Sequence, residues 1–480
     1  MRMQSSPKGL SMAIIILIAI MLAFGCASSG SKKKASKERK RTVLLTTSDD
    51  VRIGEEAAQQ VAVDIGLLDD PALTAYVEVI GKKLIRGLPW RDFAFHFEIV
   101  DQMEPNAFAL PGGHVYVSRG LLALINNVDE LACVLGHEIV HSAKRHAAQQ
   151  QAVAKYQSPL SLPMSRAATM AAYGRDMERE ADALGQRLCA AAGYDPMGMS
   201  TFMRSLKQRE RLLIGHPRVP TFRDTHPGSR ERAAVTSARA SELRWTRDPY
   251  LGDVRARHLD RIDGMAIGDR PETGVFVDQL FLHPELDFEI SFPRGWQLRN
   301  SSRAVGATAP RGEAAVFLSG DLPEGELTKV ADDFAEKVAN DFGAELTKKE
   351  HVKVGHIDAI RYSFDGSGRS RGISAKVTFF PFAGSTWRMV GITPKAAENR
   401  YFGPILLSMR SFASLSDEHR ALIHTDRLRV VMARPGEEIV ALNERTESIL
   451  DPAATALLNG LLGNEIFEGG ELMKVVKREN

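Results

Sequence analysis

Cysteine is scarce in this chain: three among 480 residues, at positions 26, 133 and 189. That is too few for a disulfide framework. Cys133 lies in an apolar run, where a free cysteine behaves as a small buried hydrophobe. Whether it pairs with Cys189 is open at the level of sequence. Net charge is nearly absent as well, at +2. The basic excess sits at the front: Arg2 and Lys8, then seven basic residues against one acid between Lys32 and Arg41. The rest of the chain holds 53 basic and 59 acidic residues, a mildly acidic body that argues against nucleic acid binding as the main role. Apolar runs long enough to cross a bilayer are also missing, since the uncharged stretch Leu10 to Phe24 is short for a span. What remains is ordinary for globular proteins, with 44% hydrophobic and 25% charged residues and length for about two to four domains.

A charged start followed by the Leu10 to Phe24 run has the form of a secretory signal. It ends Leu22-Ala23-Phe24-Gly25-Cys26, which resembles a bacterial lipoprotein cleavage box. The expectation is a lipoprotein signal peptide over 1–25 and a membrane attachment through a lipidated Cys26, with an uncleaved N-terminal anchor as the alternative. Ala27 is not the Asp of an inner-membrane retention signal, so the outer membrane is favoured. Residues 26–50 are Ser/Lys-rich without an apolar face and read as a basic flexible tether.

The chain is organised around Leu131 to Arg145, LACVLGHEIVHSAKR. His137 and His141 are four apart, so on a helix they project from one face and can hold one metal ion. Glu138, one position on, stands where it can take a proton from an attacking water. H-E-x-x-H has this meaning in zinc metalloproteases. The helix is expected to start near Asn127 or Asp129 and to bury Leu131, Val134, Leu135 and Ile139. His146, five past His141, reads as a surface residue off the ligand face. Upstream, helices are expected at about 51–66 and 71–86. Phe93 to Val100 reads as a strand. Pro111-Gly112-Gly113 reads as a turn, and His114 to Ser118 as an edge strand beside the metal to which a peptide could add. His114 itself reads as structural or exposed.

Two histidines leave a catalytic zinc one protein ligand short. Arg175 to Gly185, RDMEREADALG, supplies candidates: Glu178 as ligand, Asp182 one turn on as acceptor from a ligating imidazole, Glu180 as the competing choice. H-E-x-x-H followed by E-x-x-x-D, with N-A-F-A-L-P-G-G-H-V-Y-V before it, resembles the membrane-associated gluzincin peptidases that include HtpX and the CaaX prenyl proteases. The likeness is strongest to the periplasmic BepA/LoiP branch and covers about residues 51–245. It implies a mainly helical zincin domain with a small sheet, one Zn2+ per subunit, Glu178 as third ligand and Asp182 behind the ligands. It also implies that His226, in Thr225-His226-Pro227, can take the open metal position, and that Arg232, or Arg230, can stabilise an oxyanion.

The second half changes pattern. After a connector at 246–275 with a short helix near Val254 to Ile262, segments at 286–292, 314–318, 357–364, 375–382 and 386–392 read as strands. Those at 327–342 and 401–412 read as helices. This is an α+β antiparallel-sheet domain, 276–418, whose Phe292 to Trp296 turn resembles the start of PsbP-like domains. Phe379, Phe380 and Phe382 read as sheet core. Residues 425–480 read as a β-α-α-β module that resembles a degenerate LysM domain, with Gly436-Glu437-Glu438 in place of Gly-Asp-Thr.

The fold class expected is therefore α+β multidomain. The function expected is a zinc metalloendopeptidase of the bacterial cell envelope, acting on unfolded or misassembled envelope proteins. The competing class is a non-enzymatic envelope chaperone or adaptor that docks to peptidoglycan or a partner through the C-terminal module; an intact Glu138 disfavours it. A prenyl-protein protease is disfavoured because no apolar spans enclose a membrane chamber.

Overall fold

The structure, a computed structural model, describes residues 46–479 except 90–91, 150–162, 213–225, 227–228, 302, 323–324, 368–369 and 371. The signal peptide, Cys26 and most of the expected tether lie outside the described residues. Helix α1, Thr47–Asp64, starts within the stretch read as tether, because Thr46 and Asp49 form a reciprocal capping box. Helix α2, Pro71–Ile85, is capped by Asp70 with Pro71 in its first turn.

Strands β1 (His96–Val100), β2 (Ala107–Ala109) and β3 (His114–Ser118) form one small sheet in the order β1-β3-β2, with β3 parallel to β1 and antiparallel to β2. The edge strand of the sequence reading is thereby corrected. His114 to Ser118 lies in the middle of the sheet, and among the described residues Ala107–Ala109 is an edge strand with β3 as its one partner. The alternating sequence pattern marks a strand but says nothing of which neighbours it takes; here four of its five residues are buried. His114 stacks on His96.

Helix α3 (Arg119–Leu124) leads through Ile125 and Asn126 into α4, Val128–Ala143. Asn127 caps α4 by accepting from the Glu130 amide at 2.9 Å. Leu131, Val134, Leu135 and Ile139 are fully buried in the main core, with Cys133 beside them. Helix α5 (Pro163–Ala191) crosses α4, and α6 (Gly198–Leu212), α7 (Ser229–Glu242) and α8 (Val254–Ile262) follow. The crossing of α4 and α5 is close because glycine meets glycine. A Cβ on Gly185 would lie 2.8 Å from the His137 amide nitrogen, and one on Gly136 3.0 Å from the Gly185 carbonyl. β4 (Ala266–Ile267) ends this region.

Residues Asp269–His424 form a separate compact unit. Strands β5 (Val275–Val277), β6 (Leu280–His283) and β7 (Phe288–Ser291), with the later β15 (Ala413–Ser414), make a small antiparallel sheet in the order β15-β7-β6-β5. β8 (Gln297–Asn300), β9 (Val305–Thr308), β10 (Ala315–Leu322), β11 (Ala344–Val354), β12 (Ile357–Gly366), β13 (Ile373–Phe382) and β14 (Ser385–Pro394) make a seven-stranded one in the order β11-β12-β13-β14-β10-β9-β8. Helices α9 (Leu327–Phe342) and α10 (Glu398–Arg410) cover its two faces. Phe379 and Phe380 are buried on opposite faces, as neighbours in a strand must be. β11 was missed by sequence reading, since its residues are mostly exposed and charged, as suits a sheet edge.

The C-terminal segment runs β16 (Thr425–Met432), α11 (Ile439–Thr446), α12 (Pro452–Leu458) and a last strand β17, Leu472–Glu479. The order is the β-α-α-β of the sequence reading. It packs with the described part of Glu38–Gly268 as one compact unit. β16 pairs with β17 and with β4, and Leu428 belongs to the core around α4.

Candidate metal centre

Helix α4 presents His137 and His141 on one face, and α5 brings Glu178 to them. His137 Nε2 and His141 Nε2 lie 3.0 Å apart. Glu178 oxygens stand 3.4 Å from the first and 3.3 Å from the second. His226, from the segment before α7, completes the group: its Nδ1 lies 3.2 Å from His137 Nε2 and 3.1 Å from both Glu178 oxygens. These four residues are the potential metal-holding group among the described residues. Four atoms around a tetrahedral zinc with bonds of 2.0–2.1 Å are about 3.3 Å apart. The separations of 3.0–3.4 Å between neighbouring donors are close to that length, with Glu178 turning Oε2 to His137 and Oε1 to His141. The donors, imidazole and carboxylate, also suit that ion.

The electrostatics point the same way. Burial works against a proton on His137, yet hydrogen bonds to Asp182 and Glu178 outweigh it and hold the imidazole up at about 9. Burial pushes His141 down to about 3. Burial opposes charge on Glu178, but His137, His141 and His226 hold its carboxyl well below the usual range. The buried carboxylates of Glu178 and Asp182 thus draw positive charge to the point where the imidazoles converge.

Asp182 stands behind the group, its Oδ1 3.0 Å from His137 Nδ1. Burial opposes its charge, while Arg232 and His137 pull its carboxyl to about 2. Arg232, read from the resemblance as able to stabilise an oxyanion, has a buried guanidinium that donates two bonds of 2.7 Å to Asp182, approaches Glu178 Oε2 at 2.7 Å and donates to the His226 carbonyl at 3.2 Å. The Arg230 side chain lies outside the described ones. Glu180, the competing ligand, points away from the cluster to Lys144 and His146.

Glu138 is buried beside the group, its Oε1 3.3 Å from His226 Nε2. Burial raises its pKa, the direction that helps a carboxylate act as a base nearer neutral pH. A cavity of about 220 Å³ opens here, with Glu138, His141, Glu178 and His226 on one side and Phe108, Ala109 and Leu110 of the β2 region on another. Ser142 ties that region to α4, accepting from the Gly113 amide at 3.1 Å and donating to the Leu110 carbonyl at 3.2 Å. At the far end, α1 packs so tightly on the turn that a Cβ on Gly54 would sit 1.9 Å from the Pro111 carbonyl oxygen.

Sequence reasoning also misplaced His146. His146 is buried, not on the surface. Its Nδ1 lies 3.0 Å from His141 Nδ1, and burial holds its pKa below the ordinary histidine value. Helical spacing put it off the ligand face, but the helix has ended by then: Arg145 takes a left-handed φ of 57°. No sequence signal marked that turn, since the residue is not glycine.

Residues 71–240 match the model of peptidase family M48. Over 235 residues the chain is 30% identical to the β-barrel assembly-enhancing protease of Escherichia coli, covering 43% of this chain and 48% of that protein. Over 198 residues it is 29% identical to the mitochondrial metalloendopeptidase OMA1 of Schizosaccharomyces pombe, covering 38% of this chain and 58% of that one. The chain therefore spans about half the length of these curated relatives. The solution structure of cyanobacterial PsbP from Synechocystis is similar at 15% identity and a TM-score of 0.25, covering 29% of this chain and 95% of that one, a likeness too low to argue from.

Proposed function

We propose that this chain is a zinc-dependent endopeptidase of the M48 kind, working in the bacterial cell envelope on misassembled or unfolded proteins. The observation that carries the reading is the convergence of His137, His141, Glu178 and His226, whose ligand atoms lie within 4.8 Å of one another, with Glu138 beside them. When bound, zinc would be held by His137, His141 and Glu178 and would supply Lewis acidity toward a peptide carbonyl and an attacking water.

The chain's own residues do the rest. Glu138 accepts a proton from the water as it attacks and delivers it to the leaving amine. Asp182, fixed by Arg232, holds His137 in one tautomer and orientation. The edge strand Ala107–Ala109 offers main-chain hydrogen bonds to an extended peptide. An edge strand of three residues beside a small cavity suits an unfolded segment, in keeping with envelope quality control. Its relatives include a protein named for assisting β-barrel assembly.

His226 stands 3.2 Å from His137 Nε2 and 3.1 Å from Glu178, where it would take the position that a catalytic zinc keeps open for water and substrate. It accordingly acts as a plug that must withdraw before hydrolysis. No helix of the described residues is long and apolar enough to cross a membrane; attachment through Cys26 at the outer membrane is part of the same proposal. So is a LysM-like docking role for Thr425–Glu479, although Glu437 is bound by Arg445 at 2.6 Å, which leaves glycan binding less favoured than docking to a partner.

The test is zinc content and casein cleavage by the purified chain, with and without chelator. Glu138→Gln should keep the zinc and lose about 10²–10⁴-fold in rate. Cleavage that persists in that variant, or that survives chelation, overturns the proposal.

A further inference from the structure

The polar chain behind His141 has no counterpart in the roles assigned so far. We propose that His146 is the positioning residue of His141, set in place by the left-handed turn at Arg145; this rests on the metallopeptidase reading of the site. Were α4 to continue, residue 146 would lie about 140° around the axis from 141. The helix instead ends at Ala143, and Arg145 at φ 57° reverses the backbone. His146 is thereby folded back beneath the ligand, 2% exposed, with Nδ1 3.0 Å from His141 Nδ1.

The chemistry sets a direction along this chain. His141 turns Nε2 to the ligand group, 3.0 Å from His137 Nε2 and 3.3 Å from Glu178 Oε1. An imidazole whose Nε2 lone pair goes to a cation carries its proton on Nδ1 and must donate it. The acceptor placed there is His146 Nδ1. His146 must then be protonated on Nε2, and that nitrogen faces Glu180 Oε2 at 3.4 Å. Glu180 Oε1 is held by Lys144 at 2.9 Å.

Each histidine of the motif thus has a polar chain behind it that ends in a cation. His137 has Asp182 and Arg232, while His141 has His146, Glu180 and Lys144. The turn has its own support. Arg145 pairs with the buried Asp50 of α1 and donates to the Thr46 carbonyl at 3.1 Å. A residue other than glycine in the left-handed region needs such fixing. The first helix therefore reaches His141 through Arg145 and His146, an influence that the motif itself does not contain.

Two variants of the full chain separate an acceptor from a filler. His146→Leu keeps the volume and loses the acceptor, whereas His146→Asn keeps an oxygen near the place of Nδ1. The readouts are the zinc dissociation constant, from competition with a chromophoric chelator, and the visible spectrum of the cobalt-loaded protein. Loss of such support typically weakens metal binding 10–100-fold. That loss, with a changed cobalt spectrum, is expected for His146→Leu, and recovery toward wild type for His146→Asn. Wild-type zinc affinity in His146→Leu overturns the proposal, as does equal weakening in both variants. A wild-type chain that binds no zinc, or a His141→Ala variant that binds it as tightly as wild type, refutes the metal site itself and not merely its support.

Discussion

At the scale of single residues, the site is a set of buried charges that make sense only together. Glu178 and Asp182 are each almost wholly buried, and a carboxylate so placed is costly unless it is paired. Arg232 reaches both and supplies the pairing charge. His226 is the residue with the clearest consequence. Its replacement by Ala should open the fourth position and raise casein kcat/KM on the order of tenfold, the factor expected where nine molecules in ten are held shut. A fall in kcat/KM with zinc content unchanged would mean that His226 takes part in the reaction and is no plug. The motif made His137, Glu138 and His141 legible, because a four-residue spacing is a statement about one helix. It could not reveal His146, because the turn that buries it depends on Asp50, a residue 95 positions earlier that pairs with Arg145.

At the scale of elements, the decisive contact is the crossing of α4 and α5. Three of the four converging residues lie on these two helices. They can approach because Gly136 and Gly185 carry no side chain: a Cβ on Gly185 would meet His137 N at 2.8 Å and Gly136 C at 3.0 Å, backbone atoms that cannot swing aside. Gly185→Ala should therefore cost about 1–3 kcal/mol by overpacking and lower the zinc content, read by thermal melting and metal analysis of the same sample. A variant with wild-type melting and full zinc would show that the helices have room to spare. The glycine was visible in the sequence as part of the E-x-E-A-D-x-x-G segment, but the partner helix that needs it was not. The small sheet carries the same lesson. The strand pattern of His114 to Ser118 was legible, yet its central position was decided by β1 and β2 pairing on either side of it.

At the scale of the whole chain, the C-terminal segment is built into the unit that holds the metal centre. Lys474 of β17 is fully buried, and burial draws its pKa well below the ordinary lysine value. Its ammonium donates to the carbonyls of Ala123 at 2.7 Å, Leu124 at 3.4 Å and Ile125 at 2.9 Å, at the buried C-terminal end of α3 just before α4 begins. Arg255 adds bonds to Asn126, Asn459 and the Leu472 carbonyl. Lys474→Met should leave these carbonyls without their donor and destabilise the fold by about 1–3 kcal/mol, seen as a lower melting temperature of the unit that includes α3 and α4. An unchanged melting temperature would make the segment an appendage, as the sequence reading of a separate module had it. By itself the sequence determined the local elements and the chemistry of the motif: helix caps, strand alternation, the two histidines and the glutamate between them are all set by neighbours within a few residues. The tertiary structure alone decided which strand is the edge, that His226 reaches the ligands, that Arg232 backs them, and that β17 caps α3. Each of these is a contact between segments far apart in the chain, where packing and paired burial of charge choose the partner and local periodicity is silent.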